Sequence, residues 1–309
     1  MHHTPIARPL FGRLFLWALA GLAMAPAAQA LPSINLTGDT YNNVASSSAG
    51  AMTTSMGTVI FARDATQPVG TGVFDPFLRL DVKGNSTDEQ GYNTSGVICV
   101  KCTGNNYTTR NVLDDMTPVN YTHDVLISDL QLTSDGKYYV FKLDINEPGT
   151  DGKSLLSLDG LKLYSTSQTA QTGEALDANN NIVDGAGGIV GTKLWDMDLG
   201  QDRSVLLDYG LNNGGSGVAD MVMYVDRKVI DDQKAAGENY LVLWSRFGLQ
   251  QAADTASSTA DAGFEEWSYA KSSSTVPPPP PPPGVPLPGT LVLAALGLAA
   301  VRNTRSTRA

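Results

Sequence analysis

The sequence predicts an all-β fold of the β-sandwich or jelly-roll kind, set between an N-terminal export signal and a C-terminal apolar helix. Three observations carry this expectation. Gly, Asn, Ser, Thr and Asp recur every few residues between positions 31 and 275, and apolar residues there do not keep the helical spacing of three and four. Tyr139, Phe141, Leu143 and Ile145 alternate with Tyr138, Val140, Lys142 and Asp144, the period-2 pattern of a strand with one apolar face. Many short strand-like runs are separated by turn residues, as a sandwich requires.

The first thirty residues have three parts. Residues 1–13 carry Arg8 and Arg13 and no acid, 14–23 are apolar, and Pro26 is followed by Ala27-Ala28-Gln29-Ala30. A basic start, a short apolar middle and an Ala-x-Ala exit make a secretory signal peptide, and the apolar part is too short for a stable span. Ala28 and Ala30 form the exit, so cleavage after Ala30 leaves Leu31 as the mature start.

Residues 31–275 form the exported domain, long enough to bury a substantial core. All 31 acids fall within it. Setting aside Arg8, Arg13, Arg302, Arg305 and Arg308 leaves 16 of the 21 basic residues, so the domain carries near −15 against −10 for the whole chain. Such a surface repels nucleic acid and anionic lipid and tolerates divalent cations. Nucleic acid is therefore excluded as a partner, while the acidity also serves simply to keep an exported protein soluble.

The strands are expected at 58–62, 74–82, 124–132, 137–145, 155–164, 194–198, 204–208, 221–225 and 240–247. Residues 168–188 and 252–262 read as polar loops. Cys99 and Cys102 sit in a β-type run ending at Gly104. In an oxidising compartment they suit a small structural disulfide, with reduced thiols as the alternative. The run lacks the βαβ setting of a redox motif, and Thr103 stands where haem attachment needs His.

The most suggestive constellation is an expected hairpin. Residues 137–146 and 154–164 would pair around the turn 147–152, bringing Asp144 roughly opposite Leu158 or Asp159. Two facing carboxylates repel. A bound Ca²⁺ with Asp144, Asn146, Glu147 and Asp159 as oxygen ligands would relieve this, making structural Ca²⁺ the candidate cofactor. The alternative is that both acids face solvent and bond to turn amides. Leu156 and Leu158 share one phase of the strand and Leu161 and Leu163 the other, which predicts a bulge at Asp159. Residues 177–184 place Asp177, Asn179 and Asn181 at EF-hand-like positions, but Ile182 replaces the turn Gly and Gly188 the final Glu, so a solvated loop is expected.

Catalytic patterns are thin. Glu265-Glu266 could contribute to a glycosidase pair, which only spatial separation identifies. His123 beside Asp124 is the only His after residue 30, and no Gly-x-Ser-x-Gly elbow accompanies it. No catalytic residue is assigned. Trp195, Trp244 and Trp267 could stack on sugars or fill the core. Asn35, Asn85, Asn93, Asn106 and Asn120 begin Asn-x-Ser/Thr triplets, which the Asn/Thr-rich composition explains.

Residues 276–284 form a Pro-rich linker. Its seven prolines, 277–283, would span about 22 Å as polyproline II at ~3.1 Å each. The tail, 285–309, runs Val285-Pro286-Leu287-Pro288-Gly289, an apolar segment to Val301, then Arg302, Arg305 and Arg308. Its basic end would be held in the cytoplasm, while its 13 residues from Gly289 to Val301 fall short of the roughly 20 a comfortable span needs. Transient insertion in the inner membrane followed by processing is expected. Leu287-Pro288-Gly289-Thr290 also begins a sortase motif, but Leu291 stands in place of its Gly, and a GPI signal normally lacks the terminal Arg cluster.

Pro286, Leu287, Pro288, Gly289, the apolar run, Arg302 and Arg305 together resemble a PEP-CTERM sorting signal, with Leu287 where that family usually has Glu. The resemblance implies recognition by an exosortase-type processing enzyme in a Gram-negative bacterium. It also implies a destination at the outer envelope or beyond, often beside exopolysaccharide. TGVFDPFLRL, EQGYNT, VFKLDINEP, SLLSLDGLKLY and SRFG…GFEEW resemble segments of one group of exported PEP-CTERM proteins without an assigned activity. The expected function is therefore a non-enzymatic surface or matrix protein associated with exopolysaccharide or biofilm. A secreted hydrolase of extracellular polysaccharide is the alternative.

Overall fold

The computed structural model of the protein describes residues 33–39, 45–64, 75–81, 86–96, 121–149, 153–171, 175–177, 181–183, 190–211, 219–249, 258–260, 263–270 and 277–280. In chain order the strands begin with β1 (Ser33–Asn35), β2 (Ala49–Thr54), β3 (Gly57–Arg63), β4 (Pro76–Leu80) and β5 (Glu89–Tyr92). Next come β6 (Val125–Leu126), β7 (Tyr138–Asp144), β8 (Leu155–Thr166), β9 (Ala175–Leu176) and β10 (Ile182–Val183). The last are β11 (Thr192–Asp196), β12 (Ser204–Asp208), β13 (Met221–Asp226), β14 (Tyr240–Phe247) and β15 (Glu265–Tyr269). One short helix, α1 (Arg227–Asp231), follows β13, its first turn capped by the Asp226 carboxylate accepting from the Lys228 amide.

Among the described residues the strands form two large sheets and a small hairpin. The seven-stranded sheet runs β1-β12-β8-β14-β5, with β11 also beside β8 and β6 beside β14. The six-stranded sheet runs β2-β3-β13-β7-β15-β4, and β9 pairs with β10. All pairings are antiparallel except β1 with β12. The inner rows of the two sheets share one core. Phe61, Phe141, Leu143, Met223 and Trp267 come from the six-stranded sheet, and Leu158, Leu161, Leu163, Trp195, Leu243 and Phe247 from the other. The fold is an all-β sandwich.

The alternation in β7 behaves as the sequence implies on its inner side, where Tyr139, Phe141 and Leu143 enter the core. Its outer side is less polar than expected. Val140 joins Ile60, Val222 and Tyr224 in a second buried apolar cluster, so β13 is buried on both faces. The bulge at Asp159 is present. Along β14, Arg246 pairs with Gly160 and Phe247 with Leu158, leaving Asp159 as the extra residue. It divides β8 in two: β12 pairs with the half before it and β11 with the half after it.

Two expectations are corrected. The 137–146/154–164 hairpin does not form, because β7 lies in one sheet and β8 in the other. Each strand carries its own apolar row. Opposing sheets let Phe141 and Leu143 bury against the side of Leu161 and Leu163, whereas a hairpin would only set the rows side by side on one surface. The strand expected over 124–132 shortens to β6, followed by a 3₁₀ turn at Ile127–Asp129. Ile127 and Leu130, three apart and both buried, fit the period of that turn better than the period of a strand. Among the described residues no helix is long and apolar enough to cross a membrane. The expected 285–309 tail lies outside the described residues.

Candidate functional site

The corner where β4 and β15 meet β5 of the opposite sheet gathers buried acids, and strand alternation decides where each one goes. Glu265 shares the inward phase of Trp267, whose indole N–H donates to Ser245 Oγ of β14 at 3.1 Å. Glu265 is 1 % exposed and lies near Glu89 of β5, which is 0 % exposed. Two carboxyl groups thus meet across the sandwich interior. Burial, then the neighbouring Glu89, push the Glu265 carboxyl well above the usual carboxylate range, with Asp81 adding to the effect.

Glu266, the next residue, turns outward. It accepts from Arg79 Nε at 2.5 Å and makes an ion pair with the same guanidinium. In register, Asp144 of β7, Glu266 of β15 and Arg79 of β4 form one row. The expected pair of facing carboxylates, Asp144 with Asp159, does not form; Asp144 instead stands opposite Glu266, and the guanidinium of Arg79 offsets their repulsion. Arg79 lies 3.4 Å from the ring centroid of Tyr121 and 4.7 Å from that of Phe264. Both rings are 36 % exposed. A cation held in place by a carboxylate between two exposed rings makes a small stacking surface.

The four candidate calcium ligands are not assembled as the hairpin would require. Asp144 sits in the outer row just described. Asn146 Nδ2 donates to the Phe264 carbonyl at 2.9 Å, and Glu147 is buried beyond the end of β7. Asp159 belongs to the other sheet, where its Oδ2 accepts from Ser157 Oγ at 2.8 Å and from the Leu249 amide at 2.7 Å. The bulge thus aims Asp159 at the turn after β14. Among the described residues no group of three or more His, Cys, Asp or Glu is placed to hold a metal ion.

Asp177 closes its own hairpin: its Oδ1 accepts from the Asn181 amide and its Oδ2 from Asn181 Nδ2, both at 2.8 Å. The ring Nδ1 of His123 lies 2.9 Å from the carbonyl of Asp124, so that nitrogen carries the proton. The Asp124 carboxylate instead accepts from the amides of Ser95 and Ala170. Trp195, Trp244 and Trp267 are all fully buried. Asn35 and Asn93 are buried too. Asn93 accepts from the Leu243 amide and donates to the carbonyls of Leu241 and His123, continuing the sheet where β5 ends. Cys99, Cys102, Ala28, Ala30, Pro286, Leu287, Pro288, Gly289, Arg302 and Arg305 lie outside the described residues.

A second polar group, on the outer face of the seven-stranded sheet, has no counterpart in the sequence reading. Lys162 is buried against Trp244, its Nζ 5.1 Å from the ring centroid and 3.9 Å from Asp196 Oδ2. Burial lowers its pKa, and the charge of Lys193 adds to the shift. Burial also raises the neighbouring Asp198 to about 6. The available signal was Lys162 standing within the apolar run 161–164. For the Glu89–Glu265 pair the signal was Glu265 in phase with Trp267, but nothing in the sequence names its partner.

No family model, curated protein or solved structure matches this chain.

Proposed function

We propose that this chain is an exported surface or matrix protein, non-enzymatic, sorted by an exosortase-type system and associated with exopolysaccharide at the outer envelope of a Gram-negative bacterium. The terminal signals support the route. The observation that supports a structural or binding role is the fate of the converging carboxylates. Glu89 and Glu265 lie near each other in the buried interior, 0 % and 1 % exposed, away from any surface a polysaccharide could reach. Arg79, held beside the exposed Tyr121 and Phe264, suits stacking on a ligand ring.

Intact mass spectrometry of the protein from its native cells, fractionated into envelope and medium, tests the route. The expected mass lacks residues 1–30 and the tail beyond about Pro288. A mass that retains the Arg-rich tail would overturn the sorting reading. The recovered protein is then mixed with exopolysaccharide from the same cells. Co-sedimentation without new reducing ends is expected, and release of reducing ends would favour the hydrolase.

A further inference from the structure

The β9–β10 hairpin brings one side-chain amide against a lysine, with a carboxylate on either side. Lys193 of β11 and Tyr164 of β8 are cross-strand partners, so both rise from the same outer face of the seven-stranded sheet. Lys193 Nζ lies 3.0 Å from Asn181 Oδ1 and 2.8 Å from Asp196 Oδ2. On its other side the amide donates from Nδ2 to Asp177 Oδ2 at 2.8 Å. The Tyr164 hydroxyl donates to Asn181 Oδ1 at 3.4 Å. Asn181 is 6 % exposed, so this amide is largely screened from water.

A nucleophile, a carbonyl carbon, a base and a proton relay thus stand in contact. We propose that Lys193 and Asn181 react to form an intramolecular isopeptide bond, Nζ to Cγ, with release of ammonia. Asp196 takes one proton from the Lys193 ammonium and frees the lone pair of Nζ. Nζ attacks Cγ, and the carbonyl π pair moves onto Oδ1, where the Tyr164 hydroxyl donates to the developing oxyanion. Asp177 relays a proton from the attacking nitrogen to Nδ2. The Cγ–Nδ2 bond breaks as the carbonyl re-forms, and ammonia leaves, taking up the proton held by Asp196. One amine and one primary amide become one secondary amide and ammonia, with no oxidant or cofactor consumed. Holding both partners in one fold supplies the proximity that free lysine and asparagine side chains lack. The product welds the hairpin to β11, closing residues 181–193 into a covalent loop.

The test is a tryptic digest, under denaturing conditions, of the full protein purified from its native cells. The expected product is a peptide 163–203 lighter by one ammonia, uncleaved after Lys193, and without backbone fragments between 181 and 193. Asn181→Asp is expected to give the same link lighter by one water, and Lys193→Arg to abolish it. Normal mass with free cleavage after Lys193 in the unsubstituted protein would overturn the proposal. Ammonia loss with Lys193 still cleaved would also overturn it, because that marks a cyclic imide at Asn181.

Discussion

Glu265 and Glu266 are neighbours in sequence with opposite surroundings, and the difference has a measurable consequence. Glu266 makes an ion pair with Arg79 on the outer face, whereas Glu265 faces Glu89 in the interior and keeps its proton well above its ordinary value of 4.5. The unfolded chain loses that proton near the ordinary value. Between the two values the native state binds more protons than the unfolded state, so stability is fully present on the acid side and falls as pH rises. The slope approaches about 1.4 kcal/mol per pH unit for one proton. Urea unfolding from about pH 5 to about pH 8 should show this decline, and Glu265→Gln should flatten it, because an amide beside Glu89 needs no proton. A decline of the same steepness in the variant would remove the pair as its source. Half of this site was legible in the sequence. Glu265 shares phase with Trp267, which marks it as inward-facing, but Glu89 could be paired with it only once the β15–β4 end of one sheet was known to lie against β5, the edge of the other.

At the scale of elements, the strand β8 shows what local pattern can and cannot specify. The phase change between Leu158 and Leu161 announces the bulge because both leucine pairs must reach the same core from one strand. Gly160 serves the same device. A Cβ there would come within 2.8 Å of the Trp244 ring, which is fully buried and has no room to retreat. Gly160→Ala should therefore cost about 1–3 kcal/mol, read as a lower urea midpoint with an unchanged slope. No change in midpoint would mean that the Trp244 ring relaxes freely. Most strands, including β7, β12 and β14, were readable from alternation or apolar runs. Those that were missed are short or polar: β1, β2, β5, β15 and the β9–β10 hairpin carry too few apolar residues to register. Pairing was the weakest link. Adjacent strands joined by a turn read as a hairpin, yet the connection after β7 carries the chain across to the other sheet.

At the scale of the whole molecule, the two sheets depend on the same interior. Phe61 packs on Trp195 with ring centroids 6.4 Å apart, and Trp267 of the six-stranded sheet bonds to Ser245 of the seven-stranded one. Neither sheet can open without exposing the inner row of the other, so the sandwich should unfold as one unit. The indoles of Trp195, Trp244 and Trp267 report on tertiary packing in both sheets, while far-ultraviolet circular dichroism reports on the strands themselves. The two signals should trace superimposable urea transitions. Leu163→Ala, in the inner row of β8, should shift both together by about 2–5 kcal/mol through the cavity it leaves. If fluorescence moved first and dichroism followed, the sheets would be separable units, and the shared core would not be what couples them.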